Sequence, residues 1–191
     1  MSQTEPSHKD RICPYWLASA LDNPIRRLIH KPEKILAGLV KEGQTVMDLG
    51  CGPGTFSLEM ARLVGDRGRV IVVDLQKQML ERVHSRAERA GLLPRFVFHQ
   101  AAPEMIGLNE KVDFVLAFWM MHEVRNQRGV LEEVENLIKP GGHFLLVEPI
   151  LHVTSDRFQK TVQVATMAGL TPVGERNFRI SRGMLFQRQA G

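Results

Sequence analysis

An apolar run that turns over three glycines, Val46-Met47-Asp48-Leu49-Gly50-Cys51-Gly52-Pro53-Gly54-Thr55, constrains the fold of this chain more than any other stretch. It reads as strand, tight turn and helix start. Glycine tolerates positive φ and has no Cβ, so repeated glycines at such a turn let a bulky ligand lie against bare backbone. A second apolar run, Val70-Ile71-Val72-Val73-Asp74, ends in a carboxylate about twenty residues on, where the two hydroxyls of a ribose need acceptors. Together the two runs predict a nucleotide-like cofactor at the carboxyl ends of neighbouring strands.

The loop also narrows the cofactor. A pyrophosphate fingerprint, Gly-x-Gly-x-x-Gly, needs its third glycine where this chain has Thr55, and Gly54 comes one residue early. Asp48 stands just before the loop, where a carboxylate repels a phosphate and suits a cation. Both features argue against a nicotinamide-dependent oxidoreductase. A ligand with adenosine at one end and a positively charged amino acid at the other, S-adenosylmethionine, satisfies Asp74 through its ribose. Its ammonium group, or a water bound to it, satisfies Asp48.

From Thr45 the strand and helix periods alternate. Strands are predicted over 45–49, 69–73, 95–99, 112–117 and 142–147, with helices over about 55–64, 76–90, 127–138 and 154–168 and a short helix near 103–107. Two further short strands, 171–175 and 183–188, are expected to pair as an antiparallel addition. Such alternation predicts an α/β, Rossmann-like doubly wound sheet, mostly parallel, with helices on both faces. Ahead of it, residues 1–44 read as short helices broken by proline. Pro24 and Pro32 suit first helical turns, and Ile35, Leu36, Leu39 and Val40 recur at helical spacing. This segment is expected to act as a helical lid on a core spanning 45–191, the whole forming one domain.

Four separate motifs carry a family resemblance: Asp48-Leu49-Gly50-Cys51-Gly52-Pro53-Gly54, Val73-Asp74, Val112-Asp113-Phe114-Val115-Leu116 and Leu137-Ile138-Lys139-Pro140-Gly141-Gly142. In that order and spacing the chain resembles a class I S-adenosylmethionine-dependent methyltransferase of the small, single-domain type, from about Thr45 to Glu148. The resemblance implies that Gly50, Cys51, Gly52 and Gly54 meet the methionine part of the cofactor and that Asp74 and Leu75 meet the ribose end. It also implies that residues after the third and fourth strands, Gln100 and Ala101, then Ala117 and Phe118, flank the adenine and the transfer site. One departure stands out. Many members carry a Gly-Asp-Ala whose Asp meets the adenine amino group, whereas this chain reads His99-Gln100-Ala101-Ala102-Pro103-Glu104. Backbone groups or Gln100 are then left to hold the adenine.

Length and composition set the remaining bounds. At 191 residues the chain has the size of one domain, and no apolar run approaches the roughly 20 residues that span a bilayer. Residues 1–11 are polar and lack the apolar centre of a signal peptide, so a cytoplasmic setting is the expectation. The two cysteines, Cys13 and Cys51, form no metal spacing and are expected as free thiols. A net charge of +4 with no dense Lys or Arg run gives no nucleic-acid stripe.

In an open α/β sheet the ligand sits where strand order reverses, next to the first strand, so the end of the fourth strand supplies the reaction face. That end reads Ala117-Phe118-Trp119-Met120-Met121-His122-Glu123. Phe118, Met120 and Met121 are either site or core, and Trp119 is read both as a substrate contact and as packing. His122 titrates near neutrality and is a candidate to accept a proton from a hydroxyl, amine or thiol as it is methylated; its alternative reading is structural. Glu148, just past the fifth strand, is a second proton-acceptor candidate, or else a turn or ion-pair residue. Tyr15 and Trp16 either close over the site from the lid, contacting substrate, or anchor that segment. An in-line methyl transfer needs positioning and no nucleophilic side chain of the protein.

The fourth strand is not followed by the Asn-Pro-Pro-Tyr of relatives that methylate nucleobase amines, and no Pro-Cys pair for cytosine carbon chemistry is present there. A small, partly apolar metabolite is therefore the expected methyl acceptor, with neither nucleic acid nor membrane as partner. The competing reading is a non-catalytic S-adenosylmethionine-binding subunit acting on a partner protein.

Overall fold

The computed structural model describes residues 31–189. Tyr15, Trp16 and Pro24 lie outside the described residues. The elements are α1 (Pro32–Leu36), β1 (Thr45–Leu49), α2 (Thr55–Val64), β2 (Arg69–Asp74), α3 (Lys77–Arg89), β3 (Phe96–Gln100), β4 (Val112–Phe118), α4 (Gln127–Leu137), β5 (Ile138–Pro149), α5 (Ser155–Met167), β6 (Leu170–Glu175) and β7 (Ser181–Arg188). One 3₁₀ turn, Met121–Glu123, follows β4.

The strands form one seven-stranded sheet in the order β3-β2-β1-β4-β5-β7-β6. β1 runs parallel to both β2 and β4, and the reversal of strand order falls beside it. The antiparallel addition forms as expected, with β7 lying between β5 and β6. Strand alternation divides the core into two layers. Met47, Ile71, Val115 and Leu146 pack with Leu131 and Val134 of α4 and with Phe158 and Ala165 of α5. Val46, Val72, Leu116 and Val147 pack with Met60 of α2, Val83 of α3 and Leu36 of α1. Central strands covered on both faces are nearly continuous in apolar residues, which is why β2 reads Val-Ile-Val-Val.

Local sequence explains most element ends. α2 starts at Gly54, whose φ of 83° places it in the left-handed region, and stops at Gly65. α4 and α5 are capped by side chains: Asn126 accepts from Gly129 N at 3.0 Å and Thr154 accepts from Arg157 N at 3.3 Å.

The expected short helix at 103–107 is absent; the chain makes a turn closed by a bridge between Ala102 and Met105. The physical reason is non-local. Ile106 N and Gly107 N donate to the carboxylate of Glu133 on α4, at 3.1 and 2.8 Å, so these amides are withdrawn from any helical ladder. β5 is also longer than expected. It leaves α4 without a loop, and the register shift between Val112 and Phe114 absorbs the Pro140-Gly141-Gly142 turn. Finally, the described part of the expected lid sends Ile35, Leu36 and Val40 into the core, and none of these lines the cavity below.

Candidate functional site

A cavity of about 400 Å³ opens at the carboxyl ends of β1, β2 and β4, where an open α/β sheet places its ligands. The glycine loop forms its floor. Gly50 N and Cys51 N both donate to Val73 O, at 2.8 and 3.0 Å, folding the loop back over β2. Gly50 has a φ of +69° and a Cβ there would lie 2.7 Å from Met120 Cγ, so the loop is bare partly because β4's continuation presses on it. At Gly52 (φ +50°) the situation is opposite: an added Cβ meets nothing within 4 Å. It would enter the space that a ligand needs.

Asp74 closes β2 beside this floor. Its Oδ2 accepts from Gly52 N and its Oδ1 from Gln76 N, both at 2.9 Å, which aims the carboxylate while leaving lone pairs for a further donor on each oxygen. Burial raises the Asp74 carboxyl above the usual carboxylate range, against the backbone amides of Gln76, Gly52 and Leu75, which pull it down. Asp48 is 2 % exposed and accepts from Ser57 Oγ at 2.5 Å. Cys51 is a buried free thiol. Burial, and then the charges of Asp74 and Asp48, push its thiol well above the ordinary range.

At the other end of the cavity, two residues that the sequence offers as separate candidates form one unit. Glu148 is 2 % exposed; its Oε1 accepts from His122 N at 3.0 Å and its Oε2 lies 2.5 Å from His122 Nδ1. A buried carboxylate on Nδ1 fixes the tautomer, with Nδ1–H donating and Nε2 left to exchange protons. Nε2 also lies 4.0 Å from Glu123 Oε1. Burial by itself lowers the His122 pKa. The hydrogen bond to Glu148 and the charges of Glu148 and Glu123 outweigh it, with Arg157 opposing, so that the net shift is upward. Next to this pair, Trp119 has a φ of 61°, an uncommon conformation for a bulky side chain. Its N donates to Val147 O at 2.8 Å and its indole Nε1 to Ser181 Oγ at 2.9 Å, holding the ring as cavity wall beside Phe118.

Of the residues singled out from sequence, Asp48, Gly50, Cys51, Gly52, Asp74, Leu75, Ala101, Phe118, Trp119 and His122 line the cavity. Four do not. Gly54 packs against Val83, Ala117 is fully buried beneath the surface, and the Gln100 amide donates to Leu75 O at 3.1 Å outside the wall. Glu148 stands behind His122. The wall also contains Phe56, Met79, Met105, Ile106 and His152, which sequence reasoning passed over. Met79 was legible as the apolar face of α3 one turn after Asp74; Met105 and Ile106 were not, since the expected helix was in their place.

These residues fit an adenosyl ligand with a cationic end: a fixed carboxylate for the ribose, unobstructed backbone at Gly52, and a buried carboxylate at Asp48. Among the described residues no three His, Cys, Asp or Glu side chains gather to hold a metal, and no helix is long and apolar enough to cross a membrane.

Comparison with known proteins agrees with this geometry. A family model described as a methyltransferase domain matches residues 40–177. The ubiquinone/menaquinone biosynthesis C-methyltransferase UbiE of Enterobacter sp. strain 638 is 28 % identical over 123 residues, covering 62 % of this chain and 49 % of that protein. The chain thus spans about half the length of the curated relatives it matches. A SAM-dependent methyltransferase from Aquifex aeolicus superposes with a TM-score of 0.84 at 23 % identity, covering 93 % of this chain and all of the other. The N-methyltransferase NodS from Bradyrhizobium japonicum, solved with S-adenosyl-L-homocysteine, shares the fold with a TM-score of 0.69 at 15 % identity, covering 88 % and 90 %. The match over residues 40–177 takes in the glycine loop, Asp74 and His122 with Glu148, and the chain therefore belongs to the methyltransferase-domain family.

Proposed function

We propose that the chain methylates a small molecule whose nucleophilic atom is activated by losing a proton, and that His122, held by Glu148, takes that proton. The single observation carrying this reading is the buried Glu148 carboxylate with one oxygen on the His122 backbone and the other on Nδ1. A histidine that only filled space would not need both. When bound, S-adenosylmethionine supplies a methyl group on a sulfonium, already activated for transfer. The protein's part is to position and to manage the proton. Asp74 and the glycine loop hold the ligand, Trp119 and Phe118 wall the acceptor side, and Nε2 of His122 receives the proton while Glu148 stabilises the imidazolium that forms. The relatives' C-methyltransferase name favours carbon as the nucleophile, on a reduced, phenolic small molecule: loss of the hydroxyl proton makes a ring carbon electron-rich, the methyl leaves the sulfonium for that carbon, and the ring C–H proton is then lost as aromaticity returns.

The test is His122→Asn. Cofactor affinity is expected to stay nearly intact while turnover falls by roughly 10²–10⁴, the size of a general-base contribution. An acceptor already anionic at assay pH is expected to lose much less. Equal slowing of both acceptors together with weaker cofactor binding would make His122 structural and sink the proposal.

A further inference from the structure

His122 sits on a short piece of chain that does not hold itself. β4 ends at Phe118, Trp119 takes its positive φ, and Met121–Glu123 make a single 3₁₀ turn closed by two bonds, Glu123 N to Met120 O at 3.0 Å and Val124 N to Met121 O at 3.1 Å. So short a 3₁₀ turn has poor hydrogen-bond geometry and nothing to propagate into. Its placement has to come from outside.

Two helices supply it. Gln127, the first residue of α4, donates from Nε2 to Met121 O at 2.9 Å. The hydroxyl of Thr161, buried on α5, lies 3.0 Å from Gln127 Oε1 and 3.2 Å from Arg157 O and donates to either. The Gln127 amide has one satisfactory orientation, since turned over it would set its own oxygen against the Met121 carbonyl. Neither Gln127 nor Thr161 lines the cavity.

The carbonyl that Gln127 holds belongs to the same peptide unit as the His122 N–H. That unit is planar and trans, with C=O and N–H pointing in opposite directions, so fixing the carbonyl aims the amide. The amide donates to Glu148 Oε1 at 3.0 Å, while Glu148 Oε2 lies 2.5 Å from Nδ1 of the same histidine. One peptide is thus held at its oxygen from α4 and at its nitrogen from β5, and the imidazole is aligned with it.

We propose, building on the reading of His122 as proton acceptor, that Gln127 and Thr161 are positioning residues: they lock the Met121–His122 peptide so that its N–H and the imidazole share the two oxygens of Glu148. Gln127 acts on the carbonyl directly. Thr161 acts through Gln127.

NMR of the full chain with 15N-labelled histidine, the His122 signals being assigned by their loss in His122→Asn, follows the imidazole titration without turnover or an acceptor. Gln127→Leu is expected to move the His122 midpoint to lower pH by roughly 0.3–1 pH unit, the equivalent of one hydrogen bond, because the contact between Glu148 and Nδ1 loosens. Thr161→Val is expected to move it the same way by less, and Thr161→Ser, which keeps the hydroxyl, to restore the parent value. The charges facing the ring are the same in all three: Glu148 from β5, Glu123 from the turn and Arg157 from α5, with His152 on the cavity wall. Turnover is expected to fall while S-adenosylhomocysteine affinity stays that of the parent. An unmoved midpoint in Gln127→Leu, or in Thr161→Val should Gln127→Leu not fold, would overturn the positioning role. A moved midpoint with unaltered turnover would leave that role standing and sink the general-base reading of His122.

Discussion

Glu148 carries no cavity surface, yet it decides what His122 is able to do. Without the carboxylate, burial would leave the imidazole easier to deprotonate; with it, the ring holds its proton to higher pH. A general base must be neutral to act, so turnover is expected to rise with pH through the raised His122 pKa. Glu148→Gln removes the carboxylate charge and leaves at most a neutral hydrogen bond on Nδ1, so both raising influences of Glu148 weaken. Its rate profile is expected to keep an ascending limb but to shift it toward lower pH, with a lower plateau because the imidazolium formed on proton transfer loses its partner. Titrating kcat against pH in both proteins checks this, and an unmoved limb would detach Glu148 from His122. At this scale the sequence was half legible. It marked His122 and Glu148 individually from their places after β4 and β5, but 26 residues of separation hid that the two share hydrogen bonds.

At the scale of elements, the strand-loop-helix unit from β1 to α2 separates binding from folding. Gly50 and Gly54 are packed, one on Met120 and the other on Val83, and side chains at either would disturb the fold itself. Gly52 faces open space. Gly52→Val is therefore expected to abolish S-adenosylhomocysteine binding while far-UV circular dichroism stays that of the parent. The positive φ adds about 1–2 kcal/mol of strain, a fraction of a domain's stability. Tight binding by this variant would place the ligand elsewhere. Element type was legible wherever hydrophobic period and caps agreed, as in α4 with Asn126 and α5 with Thr154. It failed at 103–107, because Glu133 captures that segment's amides from another helix and no local pattern encodes such a contact.

For the whole molecule, the cavity is walled by the ends of β1, β2 and β4, strands that meet only in the folded state, so ligand binding there is expected to stabilise the entire fold. At 100 times its dissociation constant a single ligand contributes about 2.7 kcal/mol. For a chain of this size that corresponds to an increase in Tm of roughly 5–11 °C. Differential scanning calorimetry with S-adenosylhomocysteine measures the shift, and Asp74→Ala at the same ligand concentration is expected to lose most of it. No shift in the unmodified chain would contradict a cavity shared among these strands. The strand order that brings these ends together was expected from the alternation of strand and helix, since a parallel sheet with helices on both faces must reverse direction beside its first strand.

Gly52 and Asp74 illustrate where sequence suffices. Backbone bare enough for a close approach calls for glycine, and a carboxylate ending a strand faces the loops, so the open turn and the carboxylate beside it were legible locally, as was the parallel core from strands alternating with helices. Tertiary structure alone decided that β7 enters between β5 and β6, that the loop after β3 remains a turn with its donors spent, and that a buried carboxylate stands behind His122. Each of these depends on groups far apart in the chain competing for one hydrogen-bond partner or one sheet edge. Such competition is settled by the packed molecule and leaves no periodic trace along the sequence.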